Sequence, residues 1–273
     1  MSIRSNWTSA LLVLAASAFA SPAFAVVRND GTAGDPADFP CAVQLGTNGD
    51  YFCSGTVICG GAYVITAGHC AEGQSLDGAD WQVQNQDGTV IQGAMQVRVH
   101  PTADLAIICL DGSFDDFYEL YMGDIEGMTV AFTGFGSTGV NDVAGDGSDD
   151  GSFGTPRQGE NVIDAAVGGL VGFEFENPGL GGSEATTFPG DSGMGYLKEV
   201  NGEFQLLGVH SGITDADDLN EYGAISFGVN VQTYKDWIEA KGIPEPSTFV
   251  LLGLGGLGLI FHRSRLSART RAA

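Results

Sequence analysis

Three short patterns hold residues that could do proton transfer and nucleophilic chemistry together. Thr66-Ala67-Gly68-His69-Cys70 follows a β-like run, Asp104-Leu105-Ala106-Ile107-Ile108 opens another, and Gly190-Asp191-Ser192-Gly193 sits in a loop of the C-terminal third. An imidazole takes up and returns a proton near neutral pH, and a carboxylate can orient it. A hydroxyl becomes a nucleophile once its proton has somewhere to go. Singly, each pattern has a plainer reading. A histidine before a cysteine is commonly structural, an aspartate before an apolar run is often a turn, and Gly-Asp-Ser-Gly is a natural turn sequence. What sets them apart is their joint order, His69, Asp104, Ser192, along one chain.

That order resembles the chymotrypsin/trypsin family of serine proteases, and the likeness runs over about residues 26–240. Phe52-Cys53-Ser54-Gly55-Thr56-Val57-Ile58 is similar to the family's cysteine strand before the histidine. Gly134-Phe135-Gly136 is similar to its Gly-Trp-Gly turn, with Phe for Trp. Gly208-Val209-His210-Ser211-Gly212 resembles the strand lining the substrate cleft, and Tyr234-Lys235-Asp236-Trp237-Ile238 the C-terminal helix. The resemblance implies a secreted serine endopeptidase with His69, Asp104 and Ser192 as its triad. His69 would accept the Ser192 proton and Asp104 would fix the imidazole tautomer. The backbone N–H groups of Gly190 and Ser192 would form the oxyanion hole. Its alternatives are a non-catalytic protease-fold binding or matrix protein and an esterase using the same three residues. Neither needs a metal, and His100 and His210 lack a paired ligand spacing.

The resemblance also implies finer features. Cys53 and Cys70 match the family pair that clips the histidine loop to its neighbouring strand. Cys41, Cys59 and Cys109 are left over, an odd number, so at least one is free or paired between chains. A new N-terminal Val26, exposed by signal cleavage, would pair with Asp191, although Arg28-Asn29 replace the family's two glycines. Thr186 stands six residues before Ser192, where trypsin-like members carry an Asp. Ile213 and Ser226 fall where many members keep glycines, and Ser211 lies on the cleft strand. These four residues, Thr186, Ser211, Ile213 and Ser226, imply a shallow uncharged pocket preferring small or medium apolar side chains. Met194-Gly195 departs from the usual Gly-Pro behind the nucleophile.

Side chains so far apart in sequence need a scaffold to bring them together. Between residues 41 and 231, short apolar runs are punctuated by Gly, Asp, Asn and Pro, and the chain holds 42 glycines. That pattern argues for many short strands in an all-β fold. The resemblance makes this two antiparallel six-stranded β-barrels, about 26–120 and 121–241, with the site in the cleft between them. One helical pattern, Val231–Ala240, closes this region with Tyr234, Trp237 and Ile238 on one face. A content of 43% hydrophobic and 16% charged residues excludes a disordered chain.

Both ends read as sorting signals. Arg4, the apolar stretch Leu11 to Ala20 and Ala23-Phe24-Ala25 make residues 1–25 a secretory signal peptide. Residues 242–273 hold Pro244-Glu245-Pro246, an apolar segment 248–261, and Arg263, Arg265, Arg269 and Arg271. This tail resembles the PEP-CTERM sorting signal of Gram-negative bacteria. It implies transient anchoring in the inner membrane, a sorting enzyme of the exosortase type as partner, and then secretion or association with an extracellular matrix. Residues 26–245 hold all 34 acids against six bases, a net charge of −28. Such a surface repels nucleic acid and anionic membranes. The acidic loops Asn141–Gly151 and Asp215–Glu221 could take structural calcium, though a solvated loop is the simpler reading.

Overall fold

Three hairpins in this chain turn on two residues that tolerate a left-handed backbone. Asn48-Gly49, Gly168-Gly169 and Asn201-Gly202 all have positive φ, as a tight type I′ hairpin requires. Each joins strands whose flanking residues pair across the ladder: Thr47 with Asp50, Val167 with Leu170, and Val200 with Glu203. The computed structural model describes residues 27–28, 39–76, 78–136, 153–176, 184–214 and 223–242.

The chain starts with a short strand, β1 (Val27–Arg28). It continues with β2 (Ala42–Thr47), β3 (Asp50–Ile58), β4 (Tyr63–Thr66), the single turn α1 (Gly68–Ala71), β5 (Trp81–Asn85), β6 (Val90–Gln92), β7 (Ala94–Val99) and β8 (Ala106–Leu110). After the connection come β9 (Glu119–Leu120), β10 (Thr129–Gly134), β11 (Arg157–Val162), β12 (Ala165–Val167), β13 (Leu170–Glu174) and β14 (Ala185–Thr186). The described chain ends with β15 (Gly195–Val200), β16 (Glu203–Ile213), β17 (Ile225–Asn230) and helix α2 (Lys235–Gly242).

Two sheets result. The first has the order β6-β5-β2-β3-β4-β8-β7 and the second β11-β10-β15-β16-β17-β13-β12. Every ladder is antiparallel except that of β9, which lies parallel beside β16. In each sheet the two edge strands are consecutive in the chain. Only Gly93 (φ +82°) separates β6 from β7, and only Ile163-Asp164 separates β11 from β12. A chain that leaves one edge and enters the other so soon does so only if the sheet has curled round on itself. With each bent strand taken once and β9 set aside, each sheet has the six strands expected.

Alternation along the strands builds the two cores. In β5, Trp81 and Val83 face in while their neighbours face out, and in β13 Val171 and Phe173 do the same. The second core is aromatic, with Phe132 stacked on Phe173 at 5.3 Å and Tyr196 edge-on to both. The first core holds Leu45, Ile65, Trp81 and Ile107 and runs on without a break into Leu197, Leu206 and Val209 of the second sheet. Each such side chain contributes about 1.5–3 kcal/mol by leaving water, and the shared core holds the two sheets in register across the cleft.

The helix begins later than its apolar pattern suggested. Tyr234 and Lys235 donate to carbonyls three residues back, so the chain turns tightly before α2 opens. Ile238 is fully buried, and Tyr234 and Trp237 pack on the first core, so the end of the second half clamps the first. Among the described residues no helix is long and apolar enough to cross a membrane. The signal peptide, the two acidic loops and the apolar segment 248–261 lie outside the described residues.

Candidate active site

The histidine loop is restrained before the histidine is placed. Thr66, at the end of β4, donates its hydroxyl to the Ser54 carbonyl on β3 (2.8 Å), and the chain then makes the turn α1. Cys70 in that turn is bonded to Cys53 on β3, with Cα atoms 6.2 Å apart and a sequence separation of 17. A bridge closing a loop of this size contributes about 3 kcal/mol by restricting the unfolded chain. Cys41, Cys59 and Cys109 are free thiols. Burial pushes the Cys41 and Cys59 thiols up to about 12, so neither is a thiolate near neutral pH. Cys53, His69 and Cys70 bring ligand-type atoms within 4.8 Å of one another, but both sulfurs are spent in the disulfide and offer no thiolate to a metal.

Asp104 meets that loop from the start of β8. Its Oδ1 accepts from the His69 backbone N–H (2.8 Å). Its Oδ2 takes bonds from His69 Nδ1 (2.8 Å) and from the Ser211 hydroxyl on β16. Gly68 makes the approach possible, since a Cβ there would stand 2.9 Å from Leu105 N and 3.1 Å from Asp104 Oδ1. Burial pushes the Asp104 carboxyl up, yet the bonds from the His69 ring, Ser211 and the His69 backbone outweigh it and hold the group at about 2. The same ring bond raises His69 above its ordinary value, against its own burial. With Nδ1 committed to the carboxylate, Nε2 is the nitrogen left to exchange a proton.

A second histidine shapes the turn that carries Asp104. His100 Nδ1 accepts from the backbone N–H groups of Thr102 (3.2 Å) and Ala103 (2.9 Å). Its ring packs edge-on against Tyr234 and Trp237, 4.9 Å from each. Burial lowers its pKa and so keeps Nδ1 available as an acceptor.

Ser192 reaches the histidine wall through its backbone. Its carbonyl accepts from Ser54 N (2.9 Å) and touches Cys70 Sγ at 3.6 Å, beside the residue after His69. Gly193 (φ +88°) presses on the same wall, where a Cβ would stand 2.0 Å from Thr66 Oγ1 and 2.2 Å from the Ser54 carbonyl. Among the described residues no hydrogen bond joins the Ser192 hydroxyl to His69, and bonds of this kind commonly tighten only with substrate in place. Gly190 has φ +95°, which glycine takes freely and other residues do not. Neither its N–H nor that of Ser192 is spent on a hydrogen bond among the described residues.

Asp191 is fully buried behind the nucleophile. Its Oδ1 accepts from Gly136 N (2.9 Å) and its Oδ2 from Phe188 N (2.9 Å). Burial pushes the carboxyl up to about 7, against those two bonds. The Gly134-Phe135-Gly136 turn exists to admit this carboxylate, because a Cβ at Gly134 or Gly136 would lie 2.0 or 2.7 Å from Oδ1. Val26 lies outside the described residues, while its neighbour Val27 pairs with Thr186 and Arg28 with Ala185.

The specificity residues fall into two groups. Thr186, Thr187 and Ser226 are fully buried, and the Ser226 hydroxyl lies 2.9 Å from that of Thr187 and 3.5 Å from that of Thr186. Ile213 pairs with Ser226 across the β16–β17 ladder. Ser211, placed on the cleft strand by the sequence, turns its hydroxyl onto Asp104. Sequence reasoning passed over Ser54, Thr187 and the two structural histidines. His210 is buried, its Nδ1 2.7 Å from the Tyr196 hydroxyl, and burial pushes it down to about 3. Its backbone grips Gly193 and Met194, each at 2.9 Å, which closes the turn at the unusual Met194-Gly195. Ser54, Thr187 and His210 act through partners remote in the chain, whereas His100 acts on its own turn.

The charges give a signed expectation. Asp104 stabilises the fold above its ordinary value of about 3.9 and loses that contribution as pH falls through about 2. His69, raised in the fold, stabilises below its ordinary value of about 6.5 and loses that contribution as pH rises through its folded value. Asp104→Asn removes the charge from Nδ1, so the His69 titration followed by NMR moves to lower pH. An unmoved midpoint would mean the bond does not set the His69 value.

The family model for trypsin matches residues 28–238, and the model for the PEP-CTERM protein-sorting motif matches residues 242–265. Comparison with curated proteins gave no match. The trypsin match takes in both sheets, the His69–Asp104 pair and the Ser192 turn, and the chain belongs to the trypsin family.

Proposed function

We propose that the protein is an exported serine endopeptidase that cleaves peptide bonds through an acyl-enzyme, with His69, Asp104 and Ser192 as its triad. The observation that carries this reading is the Asp104 carboxylate, held ionised while it binds His69 Nδ1 on one side of the cleft and Ser211 on the other. Ser192 Oγ attacks the substrate carbonyl as its proton passes to His69 Nε2. The negative charge on the carbonyl oxygen is met by the free N–H groups of Gly190 and Ser192, each worth about 3–4 kcal/mol in such a site. His69 then returns the proton to the leaving amine, and a water repeats the sequence to release the acyl group. An esterase would use the same steps.

The pocket reading follows from charge. Thr186 is neutral and its hydroxyl lies in a buried cluster with Thr187 and Ser226, so none of these three balances a Lys or Arg side chain. Ile213 narrows the opposite wall. Small or medium apolar residues therefore suit the position before the cleaved bond. For activation, the ammonium of Val26 pairs with Asp191, whose burial otherwise disfavours its charge.

The proposed organisation is a signal peptide over 1–25, the protease over 26–241, and the sorting tail over 242–273. The apolar segment 248–261 holds the exported chain transiently in the inner membrane of a Gram-negative bacterium until a sorting enzyme of the exosortase type acts on it. The released protease is secreted or retained in an extracellular matrix. The acidic loops are solvated on this reading, and calcium would act there only as a structural ion.

A fluorophosphonate probe labels the folded protein, and Ser192→Ala abolishes labelling. Absence of labelling on the intact chain would favour the binding-protein alternative. Peptide-library profiling shows cleavage after small or medium apolar residues, and strong cleavage after Arg or Lys would refute the pocket assignment. N-terminal sequencing of active protein begins at Val26, and a start well beyond Val27 would rule out the pairing with Asp191.

A further inference from the structure

Ser54 stands on β3 of the first sheet, is fully buried, and has every hydrogen-bonding group engaged. Its hydroxyl donates to the Gly190 carbonyl (2.9 Å) and accepts from Phe135 N (3.0 Å). Its backbone N–H donates to the Ser192 carbonyl (2.9 Å), and its carbonyl accepts from the Thr66 hydroxyl (2.8 Å). Three of the four bonds cross to the second half of the chain. One buried residue thus touches the segment that cradles Asp191 and the residue assigned as an oxyanion donor through its hydroxyl, and the nucleophile through its backbone N–H.

The turn it grips is also held through Asp191 and His210, but none of those bonds takes a Gly190 group. Gly190 and Gly193 both have positive φ, and glycine imposes no side-chain barrier to rotation. All five cysteines lie at or before Cys109, so no disulfide restrains the turn from its own half of the molecule. Pro189 is exposed and Gly190 half-buried. The Ser54 hydroxyl fixes the Gly190 carbonyl, and with it the Gly190–Asp191 peptide and the Cα from which the Gly190 N–H projects. Its one proton goes to the Gly190 carbonyl and its lone pair to Phe135, and losing either bond strands a buried polar group.

We infer that Ser54 is a positioning residue for the oxyanion hole, a tether from the first sheet that holds the Gly190 carbonyl and so the place from which the Gly190 N–H projects. The inference rests on the triad reading above and adds a residue that never touches substrate. It predicts an effect on transition-state binding that ground-state binding does not share.

The test compares the full chain with Ser54→Ala and Ser54→Thr, after thermal melts show which variants are folded. Hydrogen exchange reads the amides of residues 188–193, peptide hydrolysis gives kcat and KM, and a peptide boronate reports tetrahedral binding. In Ser54→Ala, kcat and boronate affinity fall about ten- to a hundredfold with KM within about twofold, less than the hundred- to thousandfold loss of an oxyanion donor removed outright. Exchange at 188–193 rises while the rest of the chain is unchanged, and Ser54→Thr, which keeps the hydroxyl, recovers both. A folded Ser54→Ala with unchanged exchange at 188–193 overturns the tether, whatever its activity. Should the native chain hydrolyse no peptide and bind no boronate, the triad reading fails, and exchange alone decides whether Ser54 holds the turn. If Ser54→Ala does not fold, Ser54→Gly takes its place with the same criteria.

Discussion

The Asp104 carboxylate is the point on which the two halves of the molecule agree. One oxygen fixes the backbone of the histidine loop, and the other joins the imidazole to a hydroxyl from β16 of the second sheet. A carboxylate that accepts three bonds stays ionised although burial works against it, and its charge in turn favours a proton on the ring. Held this way, the histidine has one nitrogen committed and one to work with. The shared apolar core makes the arrangement durable, because Leu197, Leu206 and Val209 pack in the same cluster as Ile65 and Ile107.

Close approach is the second theme of the site. Gly68, Gly134, Gly136, Gly190 and Gly193 each lie where a Cβ would meet another atom at 3.0 Å or less. These contacts bring backbone against the Asp191 carboxylate, the Phe153 ring, the Thr66 hydroxyl and neighbouring backbone around the nucleophile. Buried hydrogen bonds finish the work. Asp191 takes two backbone N–H groups, His210 hooks the turn to β16, and Ser54 joins three segments at once. In the second half, where no cysteine lies, polar contacts supply the restraint that a covalent bridge supplies between Cys53 and Cys70.

The electrostatics around the site are uneven. A net charge of −28 over residues 26–245 keeps the surface strongly acidic and soluble. Inside, the titratable groups near Ser192 are driven by burial in opposite senses. Asp191 is pushed up to about 7 and His210 down to about 3, so His210 stays neutral near neutral pH while Asp191 sits at the edge of ionisation. The contrast with Asp104 is one of partners, since a charged acceptor in the cleft meets an imidazole and a hydroxyl, and the deep one meets, among the described residues, backbone donors and a more distant Arg157.

Local chemistry was legible from residue order alone. The short apolar runs punctuated by Gly, Asp, Asn and Pro demanded strands, and His69, Asp104 and Ser192 stood out by their order. The family likeness then supplied the Cys53–Cys70 pairing and the two-barrel arrangement. Other features needed three dimensions. Ser54 and Thr187 look like ordinary strand and loop residues until register sets one beneath Gly190 and the other against Ser226. Ser211 is also a partner of Asp104, a contact its place on the cleft strand does not reveal, because only the ladder decides which face of the strand meets the carboxylate. The sequence by itself determined which groups could react and where the chain must turn, since those depend on a residue and its neighbours. Only the tertiary structure decided which distant groups meet, because a hydrogen bond depends on ångström-scale placement that packing of the whole core sets.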